Sequence, residues 1–180
     1  MGRKDFMGLS KLSLRLIGTH AIMSIVVFFL MIPLMSVWEN NAIYQWLVGL
    51  VFIAFFWFII YSDVSYTSQK ELKRDMFWKP KGFIIGLIAS IPALILYVLS
   101  IIIEAKINYA DIALRVWLSP YTKIFITFED QMPYIAIIPI VILPILSGFS
   151  YLDGLRRRKK VLDAIKESEA LRAEKSKVDK

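Results

Sequence analysis

The chain has 180 residues, of which 57% are hydrophobic, 14% are aromatic and 21% are charged. An ordinary globular chain contains about 45–50% apolar residues, and here they stand in long uncharged blocks with a basic segment at the C-terminal end. This pattern excludes an ordinary soluble domain and indicates a membrane protein. The chain has no cysteine and one histidine. We therefore expect no disulfide, no metal site and no cofactor.

Four uncharged stretches are each long enough to cross the hydrocarbon core of a bilayer, which takes about 20 helical residues. They comprise residues 16–35, 43–61, 82–103 and 134–152, and none contains Asp, Glu, Lys or Arg. The sequence therefore predicts an all-α membrane protein whose residues 1–154 form a four-helix transmembrane bundle. Residues 155–180 are predicted to form a basic cytoplasmic tail, helical through much of its length because Ala, Leu, Glu, Lys and Arg dominate it.

The distribution of basic residues predicts the orientation of the chain, because Lys and Arg are enriched in cytoplasmic loops. Nineteen of the 22 lie in the N-terminal tail, in the loop 62–81 and after residue 154, all on one side of the predicted membrane. The two loops on the other side contain only three. Both termini are therefore predicted to be cytoplasmic.

The second outer loop, residues 104–133, contains a helical pattern followed by a short apolar run. Apolar residues recur at helical spacing from Ile107 to Leu118, and Asp111 and Arg115 stand four residues apart, as in a helical ion pair. This predicts a short helix lying in the outer membrane interface. The run 124–128 is too short to span and is expected to dip into the membrane or cover the bundle. The loop is thus a structural lid, a surface that binds a partner, or a disordered segment.

The tail begins with a basic run directly after the fourth span. It consists of Arg156, Arg157, Arg158, Lys159 and Lys160. One interpretation is an orientation signal. The other is attraction to anionic lipid headgroups, which contributes about 1 kcal/mol per basic residue near the membrane surface. We expect no nucleic-acid partner, because no base-reading motif accompanies the run.

Small residues on the third span predict a close helix contact. Gly82, Gly86 and Ser90 recur every four residues, a spacing that lets another helix approach closely. The contact is either packing within the bundle, self-association, or docking to another membrane protein.

His20 is the one residue in a span that titrates near neutrality. Proton relays in membranes recruit charged partners, and the predicted spans contain none. The interpretation as a structural histidine is therefore favoured over a functional proton site.

Proline interrupts the spans. Pro92 stands in the middle of span three, and Pro139 and Pro144 stand five residues apart in span four. Each interior proline removes a backbone hydrogen bond, and the freed carbonyl needs a partner from a neighbour or a hydroxyl. The apolar flanks of the prolines favour a shaped packing helix over a transport site.

The chain contains no motif of a known catalytic class, since Walker, His-Glu-x-x-His, haem and nucleotide-binding patterns are all absent. We therefore expect a protein that is not an enzyme.

Several short segments carry a resemblance to a protein family. They are Lys81-Gly82-Phe83, Gly86-Leu87, Ile91-Pro92 and Tyr151-Leu152-Asp153-Gly154 before a basic tail. With them the chain resembles small, uncharacterised four-span integral membrane proteins of Gram-positive-type bacteria. The resemblance implies a multi-pass location in the bacterial cell (inner) membrane, and it implies no activity and no site residues.

The leading functional hypothesis is a non-catalytic accessory or scaffold subunit that docks to a larger membrane assembly. Its partners would be the bilayer, including anionic lipid, and another membrane protein or a second copy of the chain. The alternatives are a small transporter or channel-like protein, which needs a polar lumen, and a holin-like protein that permeabilises the membrane.

Overall fold

The computed structural model describes residues 3–37, 41–72, 78–103 and 107–178, with side chains from residue 8 to residue 169. Every regular element in these ranges is helical. The elements are α1 (Arg3–Ser36), α2 (Ala42–Leu72), α3 (Lys81–Ile102), α4 (Tyr109–Trp117), α5 (Thr122–Thr127), α6 (Met132–Ile135) and α7 (Ile137–Val178), with 3-10 turns at Ser119–Tyr121 and Glu129–Gln131. Four of the basic residues that count toward the predicted orientation lie outside the described residues: Lys73, Arg74, Lys106 and Lys180.

Four of these helices are long and apolar enough to cross a membrane, which confirms the prediction of four apolar spanning helices. They lie within Gly8–Ser36, Ala42–Leu72, Lys81–Ile102 and Glu129–Glu169. Their outward faces carry large apolar side chains, among them Ile22, Phe29, Phe58 and Leu87, each more than half exposed. In water such a surface would be unfavourable, whereas a bilayer solvates it.

The bundle has two different ends. We call the end at which Arg15 of α1 forms an ion pair with Asp63 of α2 the tail end, because α7 continues from it into the C-terminal segment. The opposite end, where α1 stops at Ser36 and α2 starts at Ala42, is called the loop end. The main apolar core lies between the four long helices, around Phe56, Ile60 and Tyr151.

Three helices extend beyond the predicted spans. α1 begins at Arg3, thirteen residues before the predicted first span. α2 continues for eleven residues past residue 61, so most of the predicted inner loop is helix. α7 passes without a break through residue 154, where a boundary between bundle and tail is predicted. Leu155 belongs to the main core. The tail is therefore an extension of the fourth spanning helix.

Residues 107–135 form a helical hairpin that is inserted between the long helices, and we call this segment the hairpin. Asn108 begins α4 by accepting hydrogen bonds from the amides of Ala110 and Asp111, as an N-cap residue does. Asp111 near the start and Arg115 near the end complement the helix dipole, and their side chains pair at 2.8 Å.

The position of the hairpin differs from the predicted helix lying flat at the outer interface. Leu114, Leu118 and Phe125 are almost fully buried and form a second core with side chains of α2 and α3. The turn at Ser119 reaches Ser24 of α1, twelve residues from the end of that helix, or about 18 Å at 1.5 Å per residue. The described part of the loop is thus ordered and packed inside the bundle.

Candidate functional site

The turn of the hairpin that lies deepest in the bundle, at Trp117 and Ser119, is attached to α1 by polar contacts. The carbonyl of Trp117 accepts hydrogen bonds from Ser24 Oγ at 2.6 Å and from His20 Nε2 at 3.2 Å. Ser119 Oγ donates to the carbonyl of Ser24 at 2.5 Å. Trp117 ends α4, so its carbonyl has no partner within that helix. The side chains of α1 supply the donors that allow a helix to end inside an apolar bundle.

These contacts give His20 a structural role. Its ring stacks on Trp117 with the ring centres 4.9 Å apart and meets Phe56 edge-on at the same distance. Because a carbonyl oxygen can only accept a hydrogen bond, Nε2 carries a hydrogen and donates a hydrogen bond to the Trp117 carbonyl. The residue is 4% exposed, and no carboxylate among the described residues forms an ion pair with it.

The small residues of α3 face α7. A methyl group added to Gly82 would lie 2.8 Å from the carbonyl oxygen of Ser147, and one added to Gly86 would lie 2.5 Å from the Cα of Pro144. Ser90, the third member, is buried and contacts the carbonyl of Ile140. This face of α3 is therefore occupied within the chain, and a partner would have to bind elsewhere.

Ser90 also resolves the backbone defect that Pro144 creates. Proline at 144 leaves the carbonyl four residues earlier, that of Ile140, without its helical donor. Ser90 Oγ lies 3.1 Å from this oxygen and 3.0 Å from the carbonyl of Gly86 in its own helix. The single hydrogen of this hydroxyl is shared between the two carbonyls, and it partly replaces the missing amide of α7.

The structure places Pro139 at the start of a helix, whereas the sequence predicts it inside one. α6 ends at Ile135 and α7 begins at Ile137, so Pro139 stands in the first turn of α7. Amides in a first turn have no helical partner in any case, and the proline there removes nothing. Pro92 and Pro144 do lie inside their helices.

The chain matches no family model, no curated protein and no solved structure. The geometry alone therefore carries the functional argument.

A buried charged network lies at the tail end. Lys81 Nζ is 2.5 Å from Glu71 Oε1, and Tyr151 donates its hydroxyl hydrogen to Glu71 Oε2 at 2.6 Å. All three residues are at most 9% exposed. A buried charge is tolerated when it is paired and hydrogen-bonded, and this network joins α2, α3 and α7. Sequence reasoning missed it, since Lys81 is one of several basic residues in a polar loop and nothing marks Glu71 as its partner.

The basic run does not act as one unit. Arg157 Nε bonds to Asp153 Oδ2 at 2.7 Å, and its Nη2 lies 2.9 Å from the hydroxyl of Tyr61. The Tyr61 hydroxyl also donates to Asp153. Arg157 therefore ties the start of the tail to α2.

Two other members of the run, Arg156 and Lys159, are exposed and line a groove beside α7. Arg158 is half-buried and Lys160 is exposed, and neither lines this groove.

One buried cation lies in the hairpin. Lys123 is 9% exposed, and its ammonium donates to Gln45 Oε1 at 2.9 Å. A cleft of about 300 Å³ beside it is lined by Met35, Ser36 and Ile126 as well. Within the described residues, no three His, Cys, Asp or Glu side chains are grouped so that they could hold a metal ion.

Proposed function

We propose that the protein is a non-catalytic integral membrane protein that serves as an accessory or scaffold subunit of a larger membrane assembly. We propose further that it resides in a bacterial cell membrane with both termini in the cytoplasm. The observation that supports this most is the continuity of α7, which runs as one helix of 42 residues from the bundle into the tail.

The start of the tail is held firmly against the bundle. A methyl group on Gly154 would collide with the hydroxyl of Ser68 and the carbonyl of Ser65, so α7 packs closely on α2 there. The contacts of Arg157 with Asp153 and Tyr61 secure the next turn. From Leu155 to Val178 the helix then extends about 35 Å at 1.5 Å per residue. A helix fixed at one end in this way presents its side chains at a defined distance and direction.

The tail helix offers a partner two apolar contact points. Val161 and Ile165 are 47% and 43% exposed and stand one turn apart among charged neighbours. Apolar residues at this spacing are typical anchors when one helix binds in the groove of another protein. We therefore place the partner contact on the Val161–Ile165 side of the tail.

The transport alternative gains less support from the geometry. The hairpin fills the bundle with apolar side chains such as Leu114 and Phe125. The carbonyl freed by Pro144 belongs to Ile140, which is 6% exposed, and it accepts a hydrogen bond from Ser90.

The test is copurification from the source organism in a mild detergent, with the companions identified by mass spectrometry. We expect the same companion in repeated preparations, and at least a tenfold loss of it in the double variant Val161→Ser/Ile165→Ser, since a tenfold loss corresponds to about 1.4 kcal/mol. The matched control is Lys160→Ser/Glu167→Ser, which changes two exposed positions on another side of the helix and leaves the net charge unchanged. A preparation that returns only this chain would contradict the proposal.

A further inference from the structure

We infer that the protein binds one anionic phospholipid molecule in the groove where the end of α2, the turn before α3 and the start of the tail meet. We call it the junction groove. Its volume is about 680 Å³, within the range of about 300–1,000 Å³ that is usual for ligand sites.

The floor of the junction groove is apolar. Leu72 contributes from the last turn of α2, and Leu152, Leu155 and Leu162 contribute from α7. Leu152 is the last residue of the fourth predicted span, so the groove begins at the level where the hydrocarbon core is expected to end. An acyl chain that leaves the core at this level meets an apolar surface continuous with the membrane.

The rim of the groove is basic. Among the described residues, Lys79, Arg156, Lys159 and Lys166 line it, together with the acid Asp163. The excess of three positive charges among these side chains complements a phosphate group. Such attraction contributes on the order of a fivefold gain in affinity for each basic residue near the membrane surface.

The groove separates residues that the sequence presents as one basic run. Arg156 and Lys159 line it, whereas Arg157 points to Asp153, and neither Arg158 nor Lys160 lines it. Successive residues of a helix are rotated by about 100°, and a spacing of three therefore keeps Arg156 and Lys159 on one side. Val161 and Ile165 lie on a different side, so the lipid site and the partner contact proposed above are independent of each other.

The combination of floor and rim points to a phospholipid. A free phosphate has no apolar part to occupy the leucine floor. An acidic helix from a partner would have to enter the groove at the level of Leu152, which is the level of the lipid headgroups.

The experiment measures lipid binding to the purified full chain by native mass spectrometry. Phosphatidylglycerol and phosphatidylcholine of the same acyl chains are titrated separately into protein in neutral detergent. We expect one phosphatidylglycerol to bind with at least tenfold preference over phosphatidylcholine. The double variant Arg156→Gln/Lys159→Gln is expected to bind it about 30-fold more weakly, since two basic residues are removed from the rim.

The control Arg158→Gln/Lys160→Gln removes the same charge from the same run and is expected to change the affinity less than threefold. Equal losses in the two doubles would show attraction by net charge alone and overturn the proposal. So would a wild-type protein that does not distinguish the two lipids, the result expected if an acidic partner helix is the true occupant. If Arg156→Gln/Lys159→Gln does not fold, two single variants test the proposal instead. Lys159→Gln is expected to lower the affinity for phosphatidylglycerol about fivefold. Lys160→Gln is expected to leave that affinity unchanged.

Discussion

At the scale of single residues, the structure is governed by where buried polar atoms find partners. In a bilayer an unpaired carbonyl or amide has no water to bond with, so each interruption of a helix needs a specific donor or acceptor. Ser90 supplies the donor for the carbonyl that Pro144 leaves open, and Ser24 does so for the carbonyl at the end of α4. These hydroxyls replace backbone hydrogen bonds and do not form a polar path.

The partnership of Ser90 with Pro144 is testable by a double-mutant cycle. We expect Ser90→Ala to lower the free energy of unfolding by about 1 kcal/mol, because it leaves the carbonyl of Ile140 unpaired. In a Pro144→Ala background, where residue 144 regains its amide hydrogen, the same change should have almost no effect. Reversible unfolding in mixed detergent micelles measures both values.

The control is Ser100→Ala, whose hydroxyl, among the described residues, bonds to the carbonyl of Tyr97 in its own helix at 2.8 Å. Its effect should be the same with and without Pro144. An effect of Ser90→Ala that does not depend on residue 144 would show that the hydroxyl does not replace the missing amide.

At the scale of helices, α3 and α7 pack closely against each other. The two glycines of α3 let its backbone approach Pro144 and Ser147 of α7, and the approach is so close that a methyl group does not fit. Helix association in membranes depends on such packing, since lipid tails are as apolar as the helix surfaces. This interface therefore determines how the fourth span, and with it the tail, is held.

Replacing Gly86 by Ala tests this interface. The new methyl group would meet backbone atoms of α7 that cannot move aside, so we expect a loss of about 1–3 kcal/mol in the free energy of unfolding. Gly18→Ala in α1 is the matched control, because no atom lies within 4 Å of the added methyl group. It should be neutral or stabilising by up to about 1 kcal/mol, since alanine favours a helix over glycine. Equal effects of the two changes in thermal unfolding would contradict the packing described here.

Sequence patterns predict some elements well and others poorly, for physical reasons. The four spans are predicted by the absence of charge over about 20 residues, which is a local property. The helix from Tyr109 is predicted by its periodicity, but its depth depends on His20 and Ser24, which lie more than 90 residues before Trp117 in the chain. Likewise, the residues near Glu71 do not indicate that α2 extends far enough for Glu71 to pair with Lys81. The residues around Pro139 do not indicate that α7 starts two residues before this proline.

At the scale of the whole molecule, the two ends differ in chemistry. The tail end holds the ion pairs of Arg15 with Asp63, Glu71 with Lys81 and Asp153 with Arg157. The loop end is closed by the hairpin, which buries Leu114 and Phe125 and also holds ion pairs of Arg115 with Asp111 and Glu129. The orientation with the tail end in the cytoplasm is a prediction from the distribution of basic residues.

The orientation is directly testable because the chain has no cysteine. Asn41 and Ser168 are both exposed, one at the loop end and the other on the tail. We expect a cysteine at 41 to react with a membrane-impermeant maleimide in intact cells, and a cysteine at 168 to react only after permeabilisation. Labelling of both positions in intact cells would refute the orientation.

The attachment of the hairpin to α1 also has a consequence for the order in which the protein is assembled. Ser24 and Trp117 are 93 residues apart, and at about 5–20 residues per second the ribosome needs roughly 5–20 s to make the chain between them. During that time His20 and Ser24 have been synthesised but lack the hairpin that bonds them in the finished protein. The hydrogen bonds between α1 and the hairpin therefore form only after the first three spanning helices have been made. The fourth spanning helix follows the hairpin in the chain, so it completes the bundle after these bonds become possible.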